Sequence, residues 1–512
     1  MSSRSSQRLS ADVVVIGGGG SGLAAAIEAA RLGRTVILLE KGPRLGGSTS
    51  WSVGSISANC TPHQIKSGIK DSPQEHFEDM ALVAESRRPG ATDNLELRRL
   101  YVDNITETFR WLMDAGVEFF GPVEEKPHRY PRMHNVLPNS RAYIHRLSKL
   151  ARRIGVRIET ATRVTELAWA DRRVSGLVAE SPSGTIHVNA GCGVVIAAGD
   201  YSASNALKTE YIGEELAATT PVNLLSTGDG QQLGISAGGR IVHGERYTGS
   251  GARFVAPPRK MLAEQLPGWK LTSKVATLGL EYLPEPLMSR LVMKFMTTNL
   301  GVSKNLFAVG GILVNAQGER FTDEKSNVVA SIPRQEAGEA FVVFDDRAAA
   351  SLEEWPNFVS TAPGMAHAYL RHYRRHRKDI YHQAKTWSGL ASRMKMRTDN
   401  KLQGTIERYN DSIDAGTTDQ FGRTDRRRLT GTNCFALGPI KSMTVVTDGG
   451  LAVNTQLAVL DENNAPIEGL FAAGSSGQGG VLLEGHGHHI GWAFVSGRLA
   501  GRSAAFSRTG TD

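Results

Sequence analysis

Asp12-Val13-Val14-Val15-Ile16-Gly17-Gly18-Gly19-Gly20-Ser21-Gly22-Leu23-Ala24-Ala25-Ala26, answered downstream by Thr35-Val36-Ile37-Leu38-Leu39-Glu40, decides how this chain folds. Val13 to Ile16 is an apolar run of the length of a buried parallel strand. The Ala-rich segment to Arg34 has helical spacing, and Thr35 to Leu39 is a second buried strand. Gly17, Gly19 and Gly22 set G-x-G-x-x-G between strand and helix. Gly17 serves the tight turn, Gly19 the close approach of a pyrophosphate, and Gly22 the contact of helix with strand. A helix that starts near Ser21 offers free N–H groups and a positive dipole end to that pyrophosphate. Glu40, about 20 residues on, stands where an acid accepts from ribose hydroxyls. The order strand, turn, helix, strand and acid predicts a dinucleotide site; a glycine-rich turn in an ordinary βαβ unit is the plainer alternative.

A chain of 512 residues exceeds one small core and implies two or more domains. Forty per cent hydrophobic residues and 56 glycines fit a globular α/β protein with many tight turns. No run approaches the ~20 apolar residues of a membrane span, and the start lacks the apolar core of a signal peptide. The first ten residues, rich in Ser and Arg, read as a short frayed tail. Cys60, Cys192 and Cys434 stand at unrelated spacings, against a disulfide framework, a zinc site or an iron–sulfur cluster. A cytoplasmic protein without a metal or a membrane span is expected. The net charge of +8 gathers in Arg371 to Lys378 and Arg423 to Arg428, with no nucleic-acid motif beside them. Solvated helix faces are the expected reading; attraction of an anionic substrate or redox partner is the other.

Ser72 to Gly116 is helical, with Leu97, Tyr101, Ile105, Phe109 and Leu112 on one face. Strands follow at 156–167, 174–180 and 185–189, and Gly193 to Asp200 is a buried strand that ends on glycine. From Ile241 to Pro363 the texture changes to proline, aromatics and methionine, with a helical apolar stripe of Met288, Leu291, Val292, Phe295 and Met296. Residues 366–420 read as helical and basic, and 449–474 restores the glycine-terminated strands of the start. The expected division is a nucleotide domain at 1–240 and 431–512, a capping domain at 241–365, and a helical joining segment at 366–430.

GGGGSG with Glu40, GGSTSWS at 46–52, AAGDYS at 197–202 and STGDG at 226–230 occur in order with four later motifs. These are GGILVNAQGERFTDE at 310–324, TIERYNDSIDAG at 405–416, TDGGLAVN at 447–454 and GLFAAG at 469–474. From Asp12 to Ala505 the chain resembles the flavoprotein family of fumarate reductases, succinate dehydrogenases and 3-ketosteroid Δ1-dehydrogenases. The resemblance implies FAD in a Rossmann-like α/β domain interrupted by an inserted α+β capping domain, with the active site between them. It implies that Gly17, Gly19, Gly20, Ser21, Gly22, Glu40 and Lys41 hold the ADP half. Gly46, Gly47, Ser48 and Thr49 would line the pyrophosphate and flavin edge, with Ala198, Gly199 and Gly474 at cofactor-facing strand ends. Val164 would meet adenine, Asp229 would support the flavin-side loop, and His489 and Ile490 would turn backbone N–H groups to the flavin. No histidine stands at 47–51, so non-covalent FAD is expected.

The fumarate reductase branch implies cationic side chains where this chain has Phe307, Val446 and the neighbourhood of Glu484, so fumarate and succinate are not expected substrates. Gly485-x-Gly487-x-x-x-Gly491 keeps the glycine spacing of the ketosteroid branch, and Gly487 would offer its N–H to a substrate carbonyl. The tyrosine of that branch is Leu483 here. Glu484, His486 and His488 are candidate acids or bases; hydrogen bonding to flavin and backbone is the plainer reading. His134, in an Arg-x-His element that resembles one near the family's active site, is a further candidate or a purely structural residue. Tyr247 is a candidate phenol or a plain buried tyrosine. The expected reaction is α,β-dehydrogenation of a cyclic ketone, with proton abstraction and hydride transfer to FAD. Enone reduction in reverse and a non-catalytic flavin-binding redox subunit are the alternatives. The expected electron acceptor is external: quinone-like, a protein or oxygen.

Overall fold

Val13 to Ile16 forms the inner end of β1 (Ser5–Ile16), and α1 (Gly20–Arg31) and β2 (Val36–Leu39) follow as the glycine spacing requires. The computed structural model describes residues 5–249, 251–257, 269–282, 293, 297, 301–326, 328–362, 366–396 and 401–507, and the expected apolar stripe of Met288 to Met296 lies outside them apart from Met293. β1 pairs in parallel with β2 and, from Ser5 on, with β6 (Gly184–Ile196). Most of the expected N-terminal tail is therefore strand, because β6 is long enough to give Ser5 to Ala11 hydrogen-bond partners.

The first sheet runs 458–460, 466–472, β6, β1, β2 and β3 (Arg157–Glu159). The hairpin of β4 (Arg163–Ala170) and β5 (Arg173–Ser181) adds to β6. Val13, Val14 and Val15 have no exposed surface, as befits parallel strands covered on both faces. α1 fills one face, held between the sheet and the C-terminal helix (His488–Phe506). A Cβ at Gly497 or Gly501 would lie 2.4 Å or 2.2 Å from backbone oxygens of α1, so only glycine lets the two helices approach this closely. On the other side of that C-terminal helix pack α2 (Pro73–Arg87) and α3 (Leu95–Asp114), α3 through buried Tyr101, Ile105 and Phe109.

The chain leaves this unit at β7 (Tyr247–Thr248) and enters a second sheet of β8 (Gly251–Phe254), β9 (Ile312–Val314), β10 (Ala340–Asp345), β11 (Tyr381–Ala384) and β12 (Cys434–Thr444). It returns through β13 (Val446–Thr447), which pairs antiparallel with β7 at the junction. Alternation along the strands splits the apolar residues between two faces. Leu313, Val342, Phe344 and Leu437 form one core. Ile312, Val343 and Ala436 form the other, with Leu402, Ile406 and Tyr409 of α4 (Lys401–Asp414). The segment 366–430 is thus part of the second unit rather than a joining element, and the expected boundary at 430/431 falls just before its central strand. Amphipathic helices such as α4 bury their apolar stripe on the nearest sheet.

The basic runs are only partly solvated. Arg377 is 1% exposed and donates to the carbonyls of Thr297 and Val255. Arg423 is 2% exposed, 3.0 Å from Glu324 and bonded to the carbonyls of Gly311 and Phe307. Two arginines expected on solvated faces are internal braces of the second unit. Among the described residues no helix is long and apolar enough to cross a membrane. The C-terminal helix (His488–Phe506) is α5 below.

Candidate functional site

A cleft opens along the C-terminal ends of β1, β2 and β6. Gly17, Gly19, Gly20, Ser21, Glu40, Lys41, Gly47, Ser48 and Thr49 line it, with Val164, Ala198, Gly199, Asp229 and Gly474 from later segments. Gly22 and Gly46 stand behind the lining. A Cβ at Gly22 would lie 1.9 Å from the Gly17 carbonyl oxygen, and one at Gly46 would lie 2.6 Å from Ser50 Oγ. Thr162, Asn223, Leu225, Ser475 and Ala493 also line the cleft and carried no motif signal; Ser226, the first residue of STGDG, lines it too.

The cleft suits a dinucleotide on its own geometry. Gly19 caps α1 without any side-chain hydrogen bond, and the first turn holds no acidic residue. Gly20 N donates to Thr49 Oγ1 at 3.2 Å, and the positive end of the helix dipole faces the cleft, where it favours an anion. Gly19 and Gly47 confront each other as bare backbone, since a Cβ on Gly47 would lie 3.3 Å from Gly19 Cα. Glu40 is 8% exposed, and its two oxygens accept from Gly18 N at 2.7 Å and Gly42 N at 2.6 Å. This fixes the carboxylate while leaving each oxygen a lone pair for a ribose hydroxyl. Asp229 pairs with Lys41 Nζ at 3.0 Å and Arg163 at 3.2 Å. Burial raises its pKa, and the two cations and Thr227 outweigh that and hold it below the usual range. Asn223 donates to Ser48 Oγ at 3.0 Å and so orders the loop opposite α1.

The expected catalytic residues do not form one cluster. His134 is fully buried, its Nε2 3.0 Å from Thr61 Oγ1 and its Nδ1 2.7 Å from the Arg132 carbonyl. Burial pulls its pKa down to about 3, and both ring nitrogens already have protein partners. His488 is 1% exposed. Its Nδ1 accepts from Gly485 N at 3.0 Å, and its Nε2 lies 3.3 Å from that of His76. It packs among His76, His128 and Tyr101, away from the cleft. His486 is exposed and bonded to Glu125 through Nδ1 and the backbone N. These histidines diverge because Gly487 (φ +88°) starts α5 and each later residue turns about 100° around the axis.

Glu484 is buried and paired with Arg88 Nε. Burial raises its pKa against the pull of Arg88. Arg88, which no motif announced, follows α2 and binds the junction itself. Its Nη2 donates to the Tyr247 carbonyl, to Thr248 Oγ1 at 3.1 Å and to Asp448 Oδ2 at 3.0 Å. Tyr247 thus meets Arg88 through its main chain. Asp448 lies in the turn after β13, and His489 Nε2 is 3.6 Å from its Oδ1. His489 precedes Ala493 by one turn, which puts both on one face of α5, and Ala493 lines the cleft. The structure therefore gathers Arg88, Glu484, Asp448 and His489 where α5 begins, beside the strands that lead to the second unit. α5, like α1, begins without a side-chain cap.

The buried histidines give a pH prediction. Burial holds His76 and His488 well below the ordinary value, His128 at about 4 and His134 at about 3. Unfolded, each titrates near 6.5. Their contribution to stability is complete above about 6.5 and is lost as pH falls toward the folded values, by up to about 1.4 kcal/mol per histidine per pH unit. Thermal midpoints measured at pH 7 and 5 are expected to differ, the four histidines outweighing the opposite effect of Asp200, whose carboxyl pKa is raised by burial to about 6.

Residues 12–248 and 291–482 match the FAD binding domain family. NADH:acrylate oxidoreductase of Vibrio harveyi is 27% identical over 96% of this chain, and the chain spans about half (50%) of its length. Vinyl phenol reductase of Lactiplantibacillus plantarum is 27% identical, with 96% of each protein covered. Among solved structures, the open conformation of a flavocytochrome c3 fumarate reductase superposes with a TM-score of 0.69 at 24% identity, covering 97% of this chain and 78% of that one. The last of these speaks to the fold, a Rossmann-like domain interrupted by a cap. The chain belongs to the FAD binding domain family, and its cofactor is FAD.

Proposed function

We propose that this protein reduces a carbon–carbon double bond conjugated to a carbonyl group, and that the same site removes hydrogen from the saturated product in reverse. The observation that carries the reading is the set of Arg88, Asp448, Glu484 and His489 at the start of α5, where the cofactor cleft meets the junction between the two units. When bound, FAD supplies the hydride exchanged with the β-carbon. The chain supplies the rest. The α1 terminus and Glu40 hold the dinucleotide, and the uncapped start of α5 favours negative charge at the far end of the cleft. The inserted unit, which we place at about 249–445, closes over that end and excludes water. The names of the acrylate and vinyl phenol relatives support reduction as the working direction, in place of the dehydrogenation that the sequence suggests.

The substrate we propose is a neutral cyclic enone. Among the described residues Arg88 is the cation that pairs with the carboxylates here, and Asp448, Glu484 and the Tyr247 carbonyl already engage it. A dicarboxylate at this place would meet two fixed carboxylates, and a like charge in a buried site costs several kcal/mol. With reduced viologen dye as electron source, anaerobic turnover is expected with cyclohexenone and not with fumarate; turnover with fumarate alone overturns the substrate. We also propose that FAD is held non-covalently. Among the described residues that line the cleft there is no histidine, cysteine or tyrosine, the side chains that could bond the flavin. Acid precipitation should leave all of the yellow colour in the supernatant; colour in the pellet contradicts it. An external redox partner, quinone-like, protein or oxygen, belongs to the same proposal.

A further inference from the structure

Asp448 is 5% exposed and held by one oxygen only. Its Oδ2 accepts from Arg88 Nη2 at 3.0 Å and from the Thr248 hydroxyl at 2.8 Å. Oδ1 is thereby directed at His489 Nε2, 3.6 Å away. Both of these atoms are buried, and neither has a hydrogen-bond partner among the described residues. A buried acceptor and a buried ring nitrogen left unpaired at this separation need only a small ring rotation to meet, and catalytic hydrogen bonds often tighten only when ligand binds. The neighbouring charges make Asp448 the suitable partner. Glu484 is neutralised by Arg88 Nε, and His488 is turned into the core toward His76.

We propose that His489 is the proton donor and acceptor of the reaction and that Asp448 and Arg88 are its positioning residues. Asp448 fixes the ring with Nε2–H toward Oδ1, which leaves Nδ1 for the substrate carbon next to the carbonyl. This rests on the reaction proposed above. In reduction the Nδ1–H bond of the imidazolium breaks as the Cα–H bond forms. The electron pair comes from the double bond, whose β-carbon has received hydride from reduced flavin. Neutral imidazole remains and regains its proton from water. In the reverse direction the same nitrogen takes the α-proton.

The test uses the FAD-loaded full chain, with cyclohexenone for turnover and cyclohexanone in deuterium oxide for exchange of the α-hydrogens, which needs no hydride transfer. His489→Asn is expected to lower both by about 10²–10⁴-fold at unchanged flavin content. His489→Gly should regain part of both when imidazole is added, and this rescue separates lost chemistry from lost structure. Asp448→Asn should lower kcat with KM unchanged. Nitrogen NMR of labelled histidine should show His489 shifting from the Nε2–H tautomer to a mixture in that variant, which a merely structural role of Asp448 would not produce. Cyclohexenone turnover at the parent rate in His489→Asn overturns the dyad and leaves the reaction standing. A parent protein that turns over no conjugated carbonyl compound overturns the reaction and the dyad with it.

Discussion

Replacing Gly22 by valine is expected to abolish FAD binding and to unfold the first unit at moderate temperature. A Cβ there would sit 1.9 Å from the Gly17 carbonyl oxygen and 3.0 Å from its carbon. Neither side can give way. Gly17 (φ +106°) is pinned by Ala197, whose carbonyl oxygen would lie 2.4 Å from a Cβ at Gly17. α1 has no room to retreat, because Gly497 and Gly501 of α5 already touch its far side. Overpacking a close contact costs about 1–3 kcal/mol where neighbours adjust and more where they do not. The loss acts first on the α1 terminus and therefore on the pyrophosphate. Flavin per protein and the thermal midpoint are the readouts. Full flavin content with an unshifted midpoint contradicts the packing account.

Arg132→Met should destabilise the fold by about 3–5 kcal/mol, the scale for removing one partner of a buried charge network. Arg132 is 1% exposed and bridges Asp71 and Asp79, bonding Asp71 at 2.6 Å and 2.7 Å. Asp79 keeps a second cation in Arg129, whose Nε lies 2.6 Å away. Asp71 keeps the neutral donors Gln64 Nε2 at 2.9 Å and Ser72 N at 2.8 Å, so it loses the most charge compensation when Arg132 goes. Urea unfolding measures the effect, and Arg132→Met with Asp71→Asn should regain part of it. A double variant as unstable as the sum of the singles would mean that the two residues do not interact.

The nucleotide half of the site was legible because its information is local. Gly17, Gly19, Gly22 and Glu40 act within one βαβ unit, and the steric reason for each glycine follows from the strand–turn–helix order alone. The later contributors, Val164, Asp229 and Gly474, were placed by resemblance, and they line the same cleft. The reacting end that we propose was not legible. Arg88, Asp448 and His489 come from three separate segments, and no spacing relates them. The cluster 484–489 drew attention to the start of α5 but hid its own geometry. At a helix start, neighbours point apart, so His486 meets Glu125, His488 meets His76, and His489 faces Asp448. Charge counting misjudged Arg377 and Arg423 for a similar reason, since a buried arginine bonded to carbonyls reads in sequence like a solvated one.

Mixing dithionite-reduced, FAD-loaded protein with cyclohexenone in the absence of oxygen tests the central claim most directly. The account predicts that the oxidised flavin band returns at a rate that rises with cyclohexenone concentration, and that fumarate leaves the flavin reduced. A flavin that stays reduced with every conjugated carbonyl compound, yet is reoxidised normally by oxygen, would contradict it and leave the protein a flavin-binding redox subunit.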